Sequence, residues 1–280
     1  MNWLKISRHA FLFLVGFLFS APAYAVLVFG APPRESRAEA DAVYGPIAQF
    51  LTRVTGQQVV YRYVNNWLSY ESNIRHKVYD IEFDGPAFIA WRMAHYGWTP
   101  LVKAPGNLRF VVIVKRDNTT IKNLEDLAGY SMCAFAPPNL ATITIQYEFT
   151  NPSRQPNIIP IRTFSQAYRE VMSGQCTAGI MQIMLYKHMN ATFHAARIVY
   201  VSRKLPNQAF SAGPRVTPAM QARITSALLS PQGHTAAAKL LAEFKIKKFV
   251  PATVQEYTGL DHLLDNTWGF GLNLSMPSTQ

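Results

Sequence analysis

Short runs of apolar and β-branched residues alternate along the chain with longer segments that have apolar residues at helical spacing. VLVFGAP at 26–32 and QQVVYRYV at 57–64 are typical of buried strands, whereas residues 36–56 have the periodicity of a helix that ends at Gly56. The same alternation of strand and helix returns after residue 130. This order predicts an α/β protein with mainly parallel sheets flanked by helices.

Two predicted strands end in proline-containing turns, FGAPP at 29–33 and FAPPN at 135–139. Ligands of open α/β folds bind at the carboxyl ends of strands, beside helix N-termini whose free N–H groups suit anions. A helix is predicted over about 139–150, and its first residues after Asn139 are Leu140 and Ala141, which have no hydroxyl. The pattern fits either an anion site without side-chain ligands or a pocket for an apolar group.

The first 25 residues predict a secretory signal peptide. Lys5 and Arg8 precede an apolar run over 11–19, and an Ala-Tyr-Ala sequence predicts cleavage after Ala25. The apolar run is shorter than the roughly 20 residues of a membrane span, which argues against the alternative of an uncleaved anchor. We therefore expect an exported protein.

The charge and cysteine content limit the function classes. The net charge of +11 could attract anionic solutes or an anionic membrane surface, or could be spread for solubility, and export argues against nucleic acid as a partner. Cys133 and Cys176 could pair or remain buried thiols, and the loosely spaced His188 and His194 predict no metal site. We find no catalytic motif, and we expect neither an enzyme nor a cofactor.

Several segments, in register along about 26–265, together resemble one family. They include LVFGAPP, YGPIAQFLTRVTGQQV, YDIEFDGPAFIAW, RFVVIVKRDNTTIKNLEDLAGYSMCAFAPPN, AYREVMSGQCTAG and LPNQAFSAGPRVTPAMQARITSALL. In this order they are similar to the PhnD-like periplasmic substrate-binding proteins of phosphate, phosphite and phosphonate ABC transporters.

The resemblance implies a type II periplasmic-binding-protein fold, in which two α/β lobes joined by a two-crossing hinge close on a ligand. It predicts crossings near Lys115–Asn118 and near Arg203–Ser211. Lobe one would then contain 26–115 together with 212–280, and lobe two would contain 116–211 including the return hinge. The resemblance also implies a periplasmic location, a small-molecule ligand and an inner-membrane ABC permease as partner.

The chain departs from the family where the family grips its ligand. A Ser-Thr-Ser-Gly set that binds phosphoryl oxygens aligns with Leu140, Ala141, Thr142 and Ile143, so one hydroxyl remains. Two tyrosines of the family align with Trp67 and Ile89, and an acidic residue aligns with Thr177. The predicted ligand-binding residues are Trp67, Tyr70, Asp84, Ile89, Asn139, Leu140, Ala141, Thr142 and Thr177.

Three hypotheses follow from this substituted grip. The family favours a binding protein for a phosphonate or another oxyanion that feeds a permease. The apolar replacements, with Trp67, Phe88, Trp91 and Leu140 as candidate lining, favour a carrier of a lipid, sterol-like or aromatic molecule on the same scaffold. The third hypothesis is a ligand-sensing partner of a membrane receptor.

Overall fold

The computed structural model describes residues 26–271, and the predicted signal peptide lies outside the described residues. The strands are β1 (Leu27–Gly30), β2 (Val59–Tyr61), β3 (Ile81–Asp84), β4 (Thr99–Lys103), β5 (Asn107–Leu108), β6 (Phe110–Lys115), β7 (Ser131–Ala134), β8 (Asn157–Pro160), β9 (Ala178–Gln182), β10 (Ala196–Val201), β11 (Leu205–Pro206), β12 (Ala209–Ala212) and β13 (Val250–Pro251).

The helices connect and flank these strands. They are α1 (Arg37–Thr55), α2 (Trp67–Arg75), α3 (Pro86–Tyr96), α4 (Leu140–Tyr147), α5 (Phe164–Ser173), α6 (Ile183–Met189), α7 (Pro218–Leu228), α8 (Pro231–Ala236), α9 (Ala238–Glu243) and α10 (Val254–Tyr257). Within 26–271, no helix combines the length and the hydropathy that crossing a membrane would require.

Two large sheets form the centres of two lobes. The first has the strand order β13-β4-β12-β3-β1-β2, and the second has the order β10-β6-β9-β7-β8. In each sheet three neighbouring strands are parallel, β2-β1-β3 and β8-β7-β9, and the others pair antiparallel. The prediction of mainly parallel sheets therefore holds for the pairing within these two triplets, because β6 and β12, the strands that follow the two crossings, run in the opposite direction to their neighbours.

The chain passes between the sheets at 104–109 and returns at 202–208. The two connections pair with each other through the antiparallel strands β5 and β11. The first connection lies upstream of the predicted crossing at Lys115–Asn118. The reason is that β6, with five buried apolar residues, is an interior strand of the second sheet between β9 and β10.

The C-terminal part of the described chain packs against both lobes. The sequence pattern over 253–267 predicts a single helix, but α10 ends at Tyr257, and Gly259 has a φ of +75° that favours glycine. A 3₁₀ turn at Asp261–Leu264 follows, and it contacts α3 on one side and α4 on the other. This segment covers one side of the region where α3 and α4 approach each other.

Candidate functional site

A cavity of about 500 Å³ lies where the two lobes face each other. It is bounded by the turn after β1, the starts of α2 and α3, the segment between β7 and α4, and the return connection. Its lining residues are Pro32, Pro33, Arg34, Trp67, Gly85, Ala87, Phe88, Phe135, Ala136, Pro138, Asn139, Leu140, Ile143, Ile161 and Gln208.

Two helix N-termini, one from each lobe, border this cavity. At the start of α3, Gly85 provides no side-chain cap, and the N–H groups of Ala87 and Phe88 find no acceptor within 26–271. At the start of α4, the Asn139 side chain accepts a bond from the N–H of Ala141 at 3.0 Å. The partial positive charge of a helix N-terminus and its unpaired N–H groups favour an anion at both places.

Few polar side chains reach the cavity. Arg34 is the cationic residue among its lining residues, and its guanidinium also lies 5.9 Å from the centre of the Phe244 ring. Burial raises the pKa of the adjacent Glu35 carboxyl, although Arg34 opposes that rise. The side-chain oxygen of Gln208 is buried without a hydrogen-bond partner, so it remains available to a ligand group that donates a hydrogen bond.

Most of the cavity surface is apolar. Trp67 and Phe88 stack with ring centroids 6.2 Å apart, and both belong to the first lobe. Phe135, Leu140 and Ile143 line the opposite side from the second lobe. The arrangement can therefore surround an apolar group while the helix N-termini and Arg34 face an anionic one.

Three of the nine predicted binding residues line the cavity: Trp67, Asn139 and Leu140. Ala141 and Thr142 follow in the same helix but are fully buried. The Thr142 hydroxyl, the one retained from the family's set, donates to the Phe135 carbonyl at 2.6 Å. It therefore fixes the loop before α4 instead of facing the cavity.

Tyr70 and Asp84 contact each other beneath the cavity floor. The Tyr70 hydroxyl donates to the Asp84 carboxylate at 2.7 Å, and the Arg92 guanidinium donates two bonds of 2.9 Å to the same carboxylate. Arg92 also lies 2.8 Å from Glu82, whose pKa is raised by burial. All four side chains are buried, which indicates a role in holding the turn at Gly85 rather than direct contact with a ligand.

Ile89 and Thr177 lie away from the cavity lining. Ile89 is fully buried in the hydrophobic core under α3. The Thr177 N–H donates to the Ser131 side chain at the start of β7, whereas Phe135 and Ala136, beyond the other end of β7, line the cavity. Because β7 and β9 are parallel, Thr177 lies at the edge of the second sheet opposite the cavity.

Sequence reasoning did not assign Arg34 and Gln208 to the site. Arg34 directly follows the candidate ligand-binding turn FGAPP, and this position is the sequence signal that marks it. Gln208 reaches the cavity through the return connection, and no local pattern marks that residue. Its role depends on the long-range pairing of β5 with β11.

The two cysteines form a disulfide bond between neighbouring parallel strands of the second lobe. Cys133 lies in β7 and Cys176 precedes β9, and their Cα atoms are 5.7 Å apart. Glu170 is near both sulfurs, but a disulfide offers no thiolate to a metal ion. The bond holds β7 two residues before Phe135, where the chain enters the cavity wall.

Comparison with known proteins decides the family. Residues 29–257 match the periplasmic substrate-binding proteins of phosphonate ABC transporters. The chain belongs to this family. It is a periplasmic protein that captures a small-molecule ligand between two lobes and delivers it to a membrane permease. The family is one of transport proteins and not of enzymes.

Solved structures show the type II periplasmic-binding fold. The XAC2383 protein of Xanthomonas citri, bound to ATP, has a TM-score of 0.62 and 16% identity over 85% of this chain and 95% of its own. PhnD1 of Prochlorococcus marinus, in complex with methylphosphonate, has a TM-score of 0.59 and 14% identity over 85% of this chain and 97% of its own.

A binding protein of an ABC phosphonate transporter from Pseudomonas aeruginosa has a TM-score of 0.58 and 13% identity, over 86% of this chain and 85% of its own. No curated protein matches the chain in sequence. At these identities the likeness establishes the fold, and the ligand has to be argued from the residues of this cavity.

Proposed function

We propose that the ligand is an organic oxyanion of the phosphonate type that carries an apolar substituent. The observation that carries this proposal is the pairing of two helix N-termini from opposite lobes around a cavity with apolar walls. The structure of PhnD1 from Prochlorococcus marinus in complex with methylphosphonate supports the choice of anion. We expect no catalytic turnover.

The anionic head would lie between the starts of α3 and α4. Backbone N–H groups there replace the hydroxyls that the family has and this chain lacks. Arg34 would supply charge-assisted bonds to the remaining oxygens, and the Gln208 side-chain oxygen would accept a bond from a protonated oxygen of the head group. Asn139 would act by fixing the first turn of α4.

The apolar substituent would lie against Trp67, Phe88 and Leu140. Leu140 occupies a position where the family has a polar ligand-binding residue, and it adds apolar surface to the cavity wall. In a cavity of about 500 Å³, the methyl group of methylphosphonate would cover little of that surface. Burial of such surface adds roughly 25 cal/mol per Å². The apolar replacements in the family's motif are thus explained by a larger ligand and not by a loss of ligand binding.

Closure would move the two lobes about the paired connections at 104–109 and 202–208. We place the boundaries between the two lobes at these connections, so that β6 belongs to the second lobe and moves with it. Closure brings Leu140 and Asn139 toward Trp67 and Phe88 and excludes water from the anion.

Calorimetric titration tests the proposal. Methyl-, propyl- and phenylphosphonate should bind, with affinity rising with the apolar substituent, and each should raise the melting temperature. Arg34→Gln should weaken binding about 10- to 100-fold, the range expected for a hydrogen bond to a charged group. Arg37→Gln removes an exposed arginine outside the cavity and serves as the matched control.

A different outcome would favour the carrier of an apolar molecule. In that case no phosphonate would shift the melting temperature, Arg34→Gln would have no effect, and extraction of the purified protein with organic solvent would release a lipid or an aromatic compound.

A further inference from the structure

A second cavity of about 550 Å³ adjoins the first. The two share Trp67, Pro138 and Ile143 as lining residues, so that Trp67 stands at their boundary. The second cavity extends along α2 toward the C-terminal segment, where Tyr147 and Trp268 contribute aromatic surface. The two cavities therefore meet at Trp67, which is the place where a ligand longer than the first cavity would reach the second.

The second cavity contains a buried carboxylate without a partner. Glu71, one helical turn after Trp67, lines it and is 3% exposed. Its carboxylate accepts no hydrogen bond and forms no ion pair within 26–271. Arg75, four residues later on the same helix, instead lies over the rings of Trp268 and Phe270, at 4.7 and 5.6 Å from their centres.

Other buried carboxylates of this lobe have a cation beside them, and Glu35, whose Oε2 is buried without a hydrogen-bond partner, is close enough to Arg34 for that charge to lower its pKa. Asp84 and Glu82 share Arg92, and Asp80 lies 3.2 Å from Arg215 and accepts the N–H of Val28. Removing a carboxylate from water without a partner is costly, and proteins retain such groups chiefly where something binds to them. Glu71 differs from these carboxylates in that no cation lies in ion-pair contact with it within 26–271, and the charge of Arg75 only partly opposes the rise of its pKa.

We propose that Glu71 binds an ammonium group of the transported ligand, beyond an apolar spacer that passes Trp67. The proposal rests on the proposed function, because the anionic end of the same ligand would lie in the first cavity. The ligand is then a long zwitterion whose two charges lie in different cavities.

The chemistry of the second cavity suits an organic cation. Aromatic faces attract ammonium groups, and Trp67, Tyr147 and Trp268 surround the space that Glu71 lines. Burial raises the pKa of Glu71 to about 6, so that the carboxylate is still largely ionised at neutral pH. The charge of Arg75 opposes this rise only in part, and an arriving cation in direct contact with the carboxylate would add to that compensation.

Pairs of ligands that differ in one charge provide the test. Alkylphosphonates and ω-aminoalkylphosphonates of equal chain length, with two to eight carbon atoms, are titrated calorimetrically at pH 7.5. The wild-type protein should prefer the ammonium-bearing member of the longer pairs by about tenfold or more, as a charge-assisted bond provides. The two-carbon pair should show little preference, because its ammonium stays in the first cavity.

Glu71→Gln should reduce that preference to near unity while the affinity for the uncharged-tail alkylphosphonates changes less than threefold. That unchanged affinity also shows that the variant is folded. Glu71→Asp retains the charge and should keep part of the preference. Glu125→Gln, at an exposed position in the second lobe, is the matched control and should behave as the wild type.

The two proposals fail in different ways. If alkylphosphonates bind but an ammonium gives no advantage at any length, or if Glu71→Gln leaves the advantage intact, the Glu71 site is refuted and the oxyanion function stands. If no phosphonate of either series binds the wild-type protein, both are refuted.

Discussion

Trp67 and Phe88 stack nearly parallel, with 14° between their ring planes and 6.2 Å between their centroids. Such a spacing leaves no slot for a ligand between the rings, so the pair forms a single wall of the first cavity. Trp67 also contacts the second cavity. This one side chain therefore meets both parts of any ligand that extends beyond the anion site.

Trp67→Ala should weaken the binding of phenylphosphonate by about 10- to 30-fold, because burial of a large aromatic side chain contributes about 1.5–2 kcal/mol to such a contact. The affinity for methylphosphonate should fall much less. Calorimetric titration of both ligands measures the difference. Tyr130→Ala removes an exposed aromatic side chain that lines neither cavity, and an equal loss in that control would contradict the assignment.

Leu140→Ser should tighten methylphosphonate binding by about fivefold, since it adds a hydroxyl donor worth about 1 kcal/mol at the start of α4. The affinity for phenylphosphonate should rise less or fall, because the variant loses apolar surface in the cavity wall. The control is Met184→Ser at an exposed position on α6. If both ligands bind less tightly to Leu140→Ser, the anion does not lie at this helix.

Glu71 should make the unliganded protein less stable as pH rises. Its folded pKa of about 6 exceeds the ordinary value of 4.5, so the folded state binds more protons than the unfolded state between these values. The free energy of unfolding, measured relative to Glu71→Gln, should therefore fall by about 1 kcal/mol from pH 4.5 to pH 7. Urea unfolding of both proteins at several pH values provides the measurement, and a difference that is independent of pH would refute the unpaired carboxylate.

Arg92→Met should lower the free energy of unfolding by about 3–5 kcal/mol, because it leaves Glu82 and Asp84 buried without their cation. Arg37→Met breaks an exposed pair with Asp41 and should cost less than about 0.5 kcal/mol. Urea unfolding compares the two variants. A loss as small as that of the control would mean that the carboxylates are stabilised by something other than Arg92.

The Cys133→Ala/Cys176→Ala variant should be less stable by about 4 kcal/mol, the value expected for opening a loop with a sequence separation of 43 residues. Thermal unfolding with and without dithiothreitol provides the check. Reductant should lower the stability of the wild-type protein toward that of the variant and leave the variant unchanged. Equal stability of the two proteins without reductant would show that the bond is absent in solution.

The sequence predicted the elements well where the pattern is local. The helix over 36–56 appears as α1 despite Gly45 and Pro46, and the turn at Asp84–Gly85 starts α3 as the Gly-Pro pair indicates. The first crossing was misplaced because an apolar run such as Phe110–Lys115 does not reveal which sheet it joins. That choice depends on pairing with β9 and β10, which lie more than 60 residues away in sequence.

At the candidate site too, local patterns identify some of the lining residues, whereas residues that depend on long-range pairing are missed. Trp67, Asn139 and Leu140 stand at element starts, and a strand-turn-helix pattern identifies those positions. Asp84 is adjacent to a turn of the same kind, yet its carboxylate points into a network with Arg92, because the matching arginine is two helical turns away on α3. Alternation and spacing cannot distinguish a carboxylate that faces a ligand from one that is neutralised from behind.

The disulfide bond between Cys133 and Cys176 makes the final structure of the cavity wall depend on the compartment in which the chain is found. Thiols stay reduced in the cytosol and are oxidised in the periplasm, so β7 and the strand after Cys176 become covalently joined only after translocation. A newly synthesised chain in the cytosol lacks this disulfide bond, and its unfolded state is then easier to maintain for translocation across the membrane. The strand that leads into the cavity wall at Phe135 is thus cross-linked only in the compartment where the protein meets its ligand.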